Sequence, residues 1–280
     1  FGKVVKSMTL NCNGKILDLQ TKKIMGIINL SQDSFYDGGR YDSIDKVNAQ
    51  ISNLVSNGAE IIDIGAASSK PGSKLIDPKK ELDIVTDYIV ELSNNFKDIH
   101  LSIDTYNSNV AEYALSKGFT IINDISAGKY DSNIFNVVKN YNAGYILMHM
   151  YGNPENMQEN PEYNNVVESI QIFLKTKIQK LQESGFDNII VDPGFGFGKS
   201  IDDNFKILKE LESLQSLNKP IIVGLSRKSM IYKTLSITPE ESLNGTTALN
   251  ILALERGANI LRVHDAKEAL ECINLLKKLN

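Results

Sequence analysis

Asp63, Asp104 and Asp192, together with Asn123, each stand in or at the end of a short apolar run. Carboxylates and an amide so placed suit a ligand rich in N–H donors, such as an aminopyrimidine-like heterocycle, because an ionised carboxylate can only accept hydrogen bonds. A second set, Lys228, Arg262 and His264, follows the last two runs and is fitted to hold an anion. In Ser226-Arg227-Lys228-Ser229-Met230 a cation and two hydroxyls fall at an expected helix N-terminus, which favours negative charge. The alternative is that opposite charges neutralise one another as buried pairs, and Asp63 in particular suits a pairing that orients a loop without touching ligand. A pocket with a donor-seeking half and an anion-seeking half implies a heterocycle carrying a phosphate or carboxylate. His149, a lone strand-end histidine, either faces the pocket or, as is commoner for such a residue, is structural, and it is left out of the expected site.

The segment 192–199, DPGFGFGK, is rich in glycine. It fails the Walker A spacing, since Pro193 stands where the first glycine belongs. It also fails G-x-G-x-x-G, because Lys199 occupies the third glycine position. A nucleotide phosphate cradle is therefore not expected. A plain turn forced by Pro and Gly is one reading. The favoured one is a ligand-binding loop, in which three glycines let the backbone approach a flat ligand beside the faces of Phe195 and Phe197.

These residues need a scaffold that brings strand ends together. Eight β-branched runs supply it: KIMGIIN to Asn29, EIIDIG around Asp63, HLSID to Asp104, TIIND to Asn123 and Asp124, YILMH to His149, NIIVD to Asp192, PIIVGLS to Ser226 and NILRVH to His264. Most are followed by a segment of helical periodicity. An even beat of buried strand, polar tip and helix predicts an α/β fold, a (β/α)₈ TIM barrel with its site at the C-terminal ends of the strands. Ahead of it, residues 4–19 alternate around Asn13-Gly14, a hairpin turn pair. This N-terminal β-hairpin, within residues 1–22, is expected to cap the barrel bottom. The chain 1–280 reads as a single domain.

Composition narrows the classes. In 280 residues with a formal charge of -4 there is no basic surplus to release counterions from nucleic acid, so no nucleic-acid partner is expected. No apolar stretch reaches bilayer length, and no signal-peptide core opens the chain, so no membrane partner is expected. Cys12 and Cys272 lack metal or redox spacing and read as idle thiols of a cytoplasmic protein.

With these residues in view, the chain from about Lys23 onward resembles the dihydropteroate synthases. The resemblance rests on MGIINLSQDSFYDGG (25–39), DIGAASSKPG (63–72), SIDTYN (102–107), INDIS (122–126), MHMYGNPENMQ (148–158), DPGFGFGK (192–199), GLSRKSM (224–230), GTTALN (245–250) and ILRVHD (260–265), in the family's order and spacing. It implies condensation of 6-hydroxymethyl-7,8-dihydropterin diphosphate with 4-aminobenzoate, giving 7,8-dihydropteroate and pyrophosphate for folate synthesis. It implies that Asp104, Asn123, Asp192 and Lys228 hold the pterin. Asn29 matches a ligand of Mg²⁺. Ser69, Lys70, Arg262 and His264 fall at diphosphate-contacting positions, and Phe35, Ser69, Pro71 and Ser229 surround the aminobenzoate. Catalysis would fall to Asp104, Lys228, Arg262 and His264. The family is usually homodimeric and is the target of sulfonamides.

Three departures stand out: Gln32 where a loop-stiffening Pro is usual, Ala67 where Glu is frequent, and Lys70 where Arg is usual. Lys70 would offer a point charge in place of a planar fork. Two rivals share the expected fold, a methyltetrahydrofolate-dependent methyltransferase and a non-catalytic pterin-binding paralogue. The first has no use for an anion site at SRKSM and RVH. The second would be expected to lose loop residues such as Asn29, Asp33 and Ser34, all of which remain.

Overall fold

The computed structural model describes residues 8–30, 40–66, 75–154, 157 and 161–279. Strands β1 (Thr9–Cys12) and β2 (Lys15–Asp18) pair antiparallel. Asn13 and Gly14 turn the chain between them with φ of 49° and 84°, the left-handed values a tight hairpin turn requires.

Eight strands follow, each parallel to its neighbours: β3 (Lys23–Asn29), β4 (Ile61–Gly65), β5 (His100–Asp104), β6 (Ile121–Asp124), β7 (Gly144–Met148), β8 (Ile189–Asp192), β9 (Ile222–Val223) and β10 (Ile260–Val263). They are ordered β8-β7-β6-β5-β4-β3-β10-β9. A parallel bridge between Val191 and Ile221 then joins β8 to β9 and closes the barrel. The strands are buried on both faces, which is why their sequences run apolar without alternation. β9 is the shortest because Pro220 has no N–H for the ladder, and Asn259 Oδ1 takes the Ile221 N–H at 2.9 Å in its place.

Helices separate the strands: α1 (Arg40–Ser56), α2 (Pro78–Asn95), α3 (Ser108–Ser116), α4 (Ile134–Asn140), α5 (Val166–Glu183), α6 (Ile201–Lys209), α7 (Ser229–Leu235), α8 (Leu243–Glu255) and α9 (Ala266–Leu276). Their apolar stripes pack on the outward strand residues in the main core, among them Ile62, Ile64, Leu101, Ile103, Val191 and Leu261. The periodicity predicts one helix over 201–217, but the chain breaks at Glu210 and continues as a 3₁₀ turn, Leu211–Leu217. Leu211, Leu214 and Leu217 recur every three residues, the spacing that a 3₁₀ turn aligns on one face.

A second core fills the bottom of the barrel. Cys12, Leu17 and Leu19 of the hairpin meet Met25, Ile61, Ile121, Ile146, Ile190, Ile222 and Ile260 near the strands' N-terminal ends. The buried side of the hairpin thus packs against this end of the barrel. Asn188 Nδ2 and Asn142 Nδ2 donate to Asn11 O at 2.7 and 3.1 Å and anchor it. Cys12 and Cys272 are both free and buried.

Candidate active site

Side chains alternate across a strand, so the inward positions of the barrel form layers. Above the apolar floor, Asp63 is paired in register with Ser102. One layer higher Asn29, Gly65, Asp104 and Asn123 align across β3, β4, β5 and β6. Gly65 keeps this layer open beside Asp104, since a Cβ on it would sit 3.2 Å from Asp104 Cβ, a tight contact. Asn123 thus faces inward and Asp124 outward. Asp124 accepts from Ser126 N at 2.7 Å, Gly128 N at 2.8 Å and Tyr145 Oη at 2.8 Å, so it serves the following turn and not the site.

Asp63 is the hub of the buried network. Fully buried, it accepts from Ser102 Oγ at 2.7 Å, Asn123 Nδ2 at 2.9 Å and Arg262 Nε at 2.7 Å. The pairing read from sequence is therefore present, and Arg262 is its partner. Arg262 Nη2 also donates to Asp104 Oδ2 at 3.1 Å. One guanidinium bridges two carboxylates across the barrel. Burial raises the pKa of Asp104 well above the usual carboxylate range, the Asp63 charge adds to it, and Arg262 opposes both. Beyond Asp104 the chain turns tightly. Thr105 N donates to Asn123 O at 3.0 Å, and Asn107 caps α3 through Asn109 N at 3.0 Å.

Asp192 ends β8, and Gly194 N donates to its Oδ1 at 2.7 Å. Burial raises the Asp192 pKa, with Lys228 opposing. Lys228 reaches this loop by donating from Nζ to Phe195 O, and its Nζ lies 5.0 Å from the Phe197 ring centre. Burial lowers the Lys228 pKa to about 8, against the pull of Asp192. Asp104, Asn123, Asp192 and Lys228 are thus gathered at one end of the barrel by four strand tips. The two phenylalanines expected beside a ligand sit differently. Phe197 is half-buried at the mouth, whereas Phe195 is fully buried in the helix-facing core and offers no face to a ligand.

The anion-seeking half rests on β9 and β10. Arg262 faces inward from β10, as its bond to Asp63 shows, and His264 follows directly on the strand's last residue. His264 is exposed at the rim, with Nδ1 2.9 Å from Ser226 Oγ. Desolvation and the cations Arg262, Arg227 and Lys228 push its pKa down, partly screened by the water its ring meets. Ser229 begins α7 and is half-buried. Asn29 is exposed at the tip of β3. His149 packs its ring against Phe173 and Tyr163, as the structural reading expects. Phe35, Ser69, Lys70 and Pro71, with the departures Gln32 and Ala67, lie outside the described residues.

Two supports escaped the sequence. Arg227 forks onto Asp265, Nε to Oδ2 and Nη2 to Oδ1 both at 2.9 Å, and Nη1 donates to Glu240 O at 2.8 Å. The fork ties the β9 loop, which carries Lys228, to the β10 loop, which carries His264. Opposite charges at adjacent strand tips were the available signal. The other is Lys199, a lysine placed among buried glycines and phenylalanines.

The family model described as "Pterin binding enzyme" matches residues 25–264. The dihydropteroate synthase of Escherichia coli strain K12 is 34% identical over 272 residues, 96% of each chain. A solved Xanthomonas albilineans dihydropteroate synthase with 4-aminobenzoic acid superposes with a TM-score of 0.90 at 34% identity, covering 98% of both chains. A Yersinia pestis dihydropteroate synthase in complex with a sulfonamide drug gives 0.89 at 34% identity, over 97% of this chain and 98% of that one. The chain belongs to the pterin-binding enzymes, and within them to the dihydropteroate synthases.

Proposed function

We propose that the chain joins the amine of 4-aminobenzoate to the methylene of 6-hydroxymethyl-7,8-dihydropterin diphosphate, releasing pyrophosphate and forming 7,8-dihydropteroate. The observation that carries this reading is the pairing of a carboxylate end with a cationic end in one barrel mouth. Asp192 and Asp104 are buried carboxylates that already accept from Gly194 N and Arg262 Nη2, and an aminopyrimidine edge would add further N–H donors to offset the remaining cost of their charge. Asn123 and Lys228 complete the ring's surroundings.

The reaction breaks a C–O bond to pyrophosphate and forms a C–N bond to the amine, which then gives up one proton. Positive charge builds on the pterin methylene and negative charge on the leaving group. Asp104 and Asp192 favour the electron-poor ring, while Arg262 and His264 receive the departing anion. An aromatic amine is neutral near pH 7 and attacks without a general base. Ser229, with Phe35, Ser69 and Pro71, would receive the aminobenzoate, and Ser69 with Lys70 would close over the diphosphate.

Among the described residues no cluster of three or more His, Cys, Asp and Glu forms a metal cage. Exposed Asn29 offers one neutral oxygen at the mouth. That donor set fits Mg²⁺ carried on the substrate's phosphates, which is commonly held by one or two protein ligands and water. When bound, the metal would neutralise charge on the leaving diphosphate. The family resemblance supports a homodimer, and the two free thiols suit a reducing, cytoplasmic setting. Among the described residues no helix is long and apolar enough to cross a membrane. A sulfonamide would compete where the aminobenzoate sits.

Calorimetry tests the pterin assignment. Asp192→Ala should weaken binding of the pterin diphosphate by about 2–5 kcal/mol, because ring N–H donors lose their acceptor in a dry pocket. An Ala variant that binds like the wild type would remove Asp192 from the site.

A further inference from the structure

Lys199 is 2% exposed, yet it follows a loop that meets the mouth of the barrel. Its Nζ donates to Gly194 O at 2.8 Å, Phe197 O at 2.9 Å and His149 O at 3.2 Å. An ammonium has three N–H donors, and here three carbonyls take them all. Two of those carbonyls belong to the loop after β8 and one to the loop after β7. The loops touch closely there: Gly194 has φ 71°, and a Cβ on it would lie 2.0 Å from His149 O.

Other main-chain groups of the loop have partners as well. Gly194 N holds Asp192, Phe195 O takes Lys228, and Gly196 N donates to Asn204 Oδ1 at 2.7 Å. Tyr163 Oη donates to Gly198 O at 2.8 Å. The atoms that aim Asp192 and Lys228 thus lie on a loop whose carbonyls are gathered by the Lys199 ammonium. Burial lowers the Lys199 pKa to about 7, and the Asp192 carboxylate opposes that shift, so the two buried charges favour each other.

We propose that Lys199 is a positioning residue for pterin recognition, its ammonium clasping the two loops so that the Asp192 carboxylate and the Lys228 ammonium stay aimed at the ring. The inference rests on the pterin reading above, and it acts through binding and not through the chemical step. A lysine that merely stabilised the fold would lower the melting temperature and the active fraction without singling out one substrate.

Lys199→Met and Lys199→Gln are compared with wild type by thermal melting and by steady-state pyrophosphate release, each substrate varied in turn. The Met variant is expected to raise KM for the pterin diphosphate tenfold or more, with kcat and KM for 4-aminobenzoate within about threefold. The Gln variant, which restores two N–H donors without charge, should fall between Met and wild type. If the Met variant is unfolded at the assay temperature, the Gln variant decides by a pterin KM raised threefold or more. A pterin KM within twofold of wild type in the folded variant, or an equal rise in both KM values, overturns the role of Lys199. A wild type that releases no pyrophosphate would instead overturn the functional reading.

Discussion

Among single residues, Asp63 and Arg262 organise the site. Asp63 contributes no surface of its own, yet three donors converge on it, and one of them is the cation expected at the diphosphate. Removing one partner of a buried pair leaves the other charge without compensation, which typically costs about 3–5 kcal/mol. Asp63→Ala should lower stability by that amount in urea unfolding and should weaken pterin binding through the freed Asn123 and Arg262. A variant as stable as wild type would mean that the pair is dispensable. The residue types were legible in the sequence, because acids and bases at apolar strand ends have few other uses. Which acid pairs with which base was not, since Asp63 and Arg262 are 199 positions apart and meet only when the barrel closes. Phe195 misled for a related reason: in an alternating glycine loop, nothing local says which of two phenylalanines turns inward.

At the scale of elements, the eight strands, their order and the hairpin were readable because buried parallel strands are long apolar runs punctuated by turn chemistry. What sequence periodicity misjudged were places where tertiary contacts choose between similar local states. The break at Glu210 follows from three leucines better aligned by a 3₁₀ turn, and β9 is short because of one proline. The hairpin offers a clean test of the division between stability and chemistry. Leu17 is 2% exposed in the hairpin, at the opposite end of the barrel from the polar layer. Leu17→Ala should cost about 2–5 kcal/mol in urea unfolding while both KM values stay put. A loss below about 1 kcal/mol, or a changed pterin KM, would show that the hairpin does not act as described.

For the molecule as a whole, buried ionisable groups set the response to pH. Burial raises Glu81, on α2, to about 7 from an ordinary 4.5, Thr105 and Asn107 acting in the opposite sense. Its folded-state pKa is raised, so its contribution is fully present below about 4.5 and is lost as pH rises through about 7. Burial lowers His100 and His149 from 6.5 to about 4 and about 3, so theirs is present above 6.5 and is lost as pH falls toward those values. Glu81→Gln should therefore melt progressively higher than wild type as pH is raised from 5 to about 8. Parallel melting curves would take Glu81 out of the balance.

On the proposed function, one barrel mouth binds a pterin diphosphate and an aromatic amine and expels pyrophosphate between them. The most direct measurement follows pyrophosphate release and pteroate formation from purified protein with 6-hydroxymethyl-7,8-dihydropterin diphosphate, 4-aminobenzoate and Mg²⁺. The expected result is equal amounts of both products, dependent on both substrates and stopped by chelation. Pterin binding without turnover, or methyl transfer from a methylated folate, would contradict it.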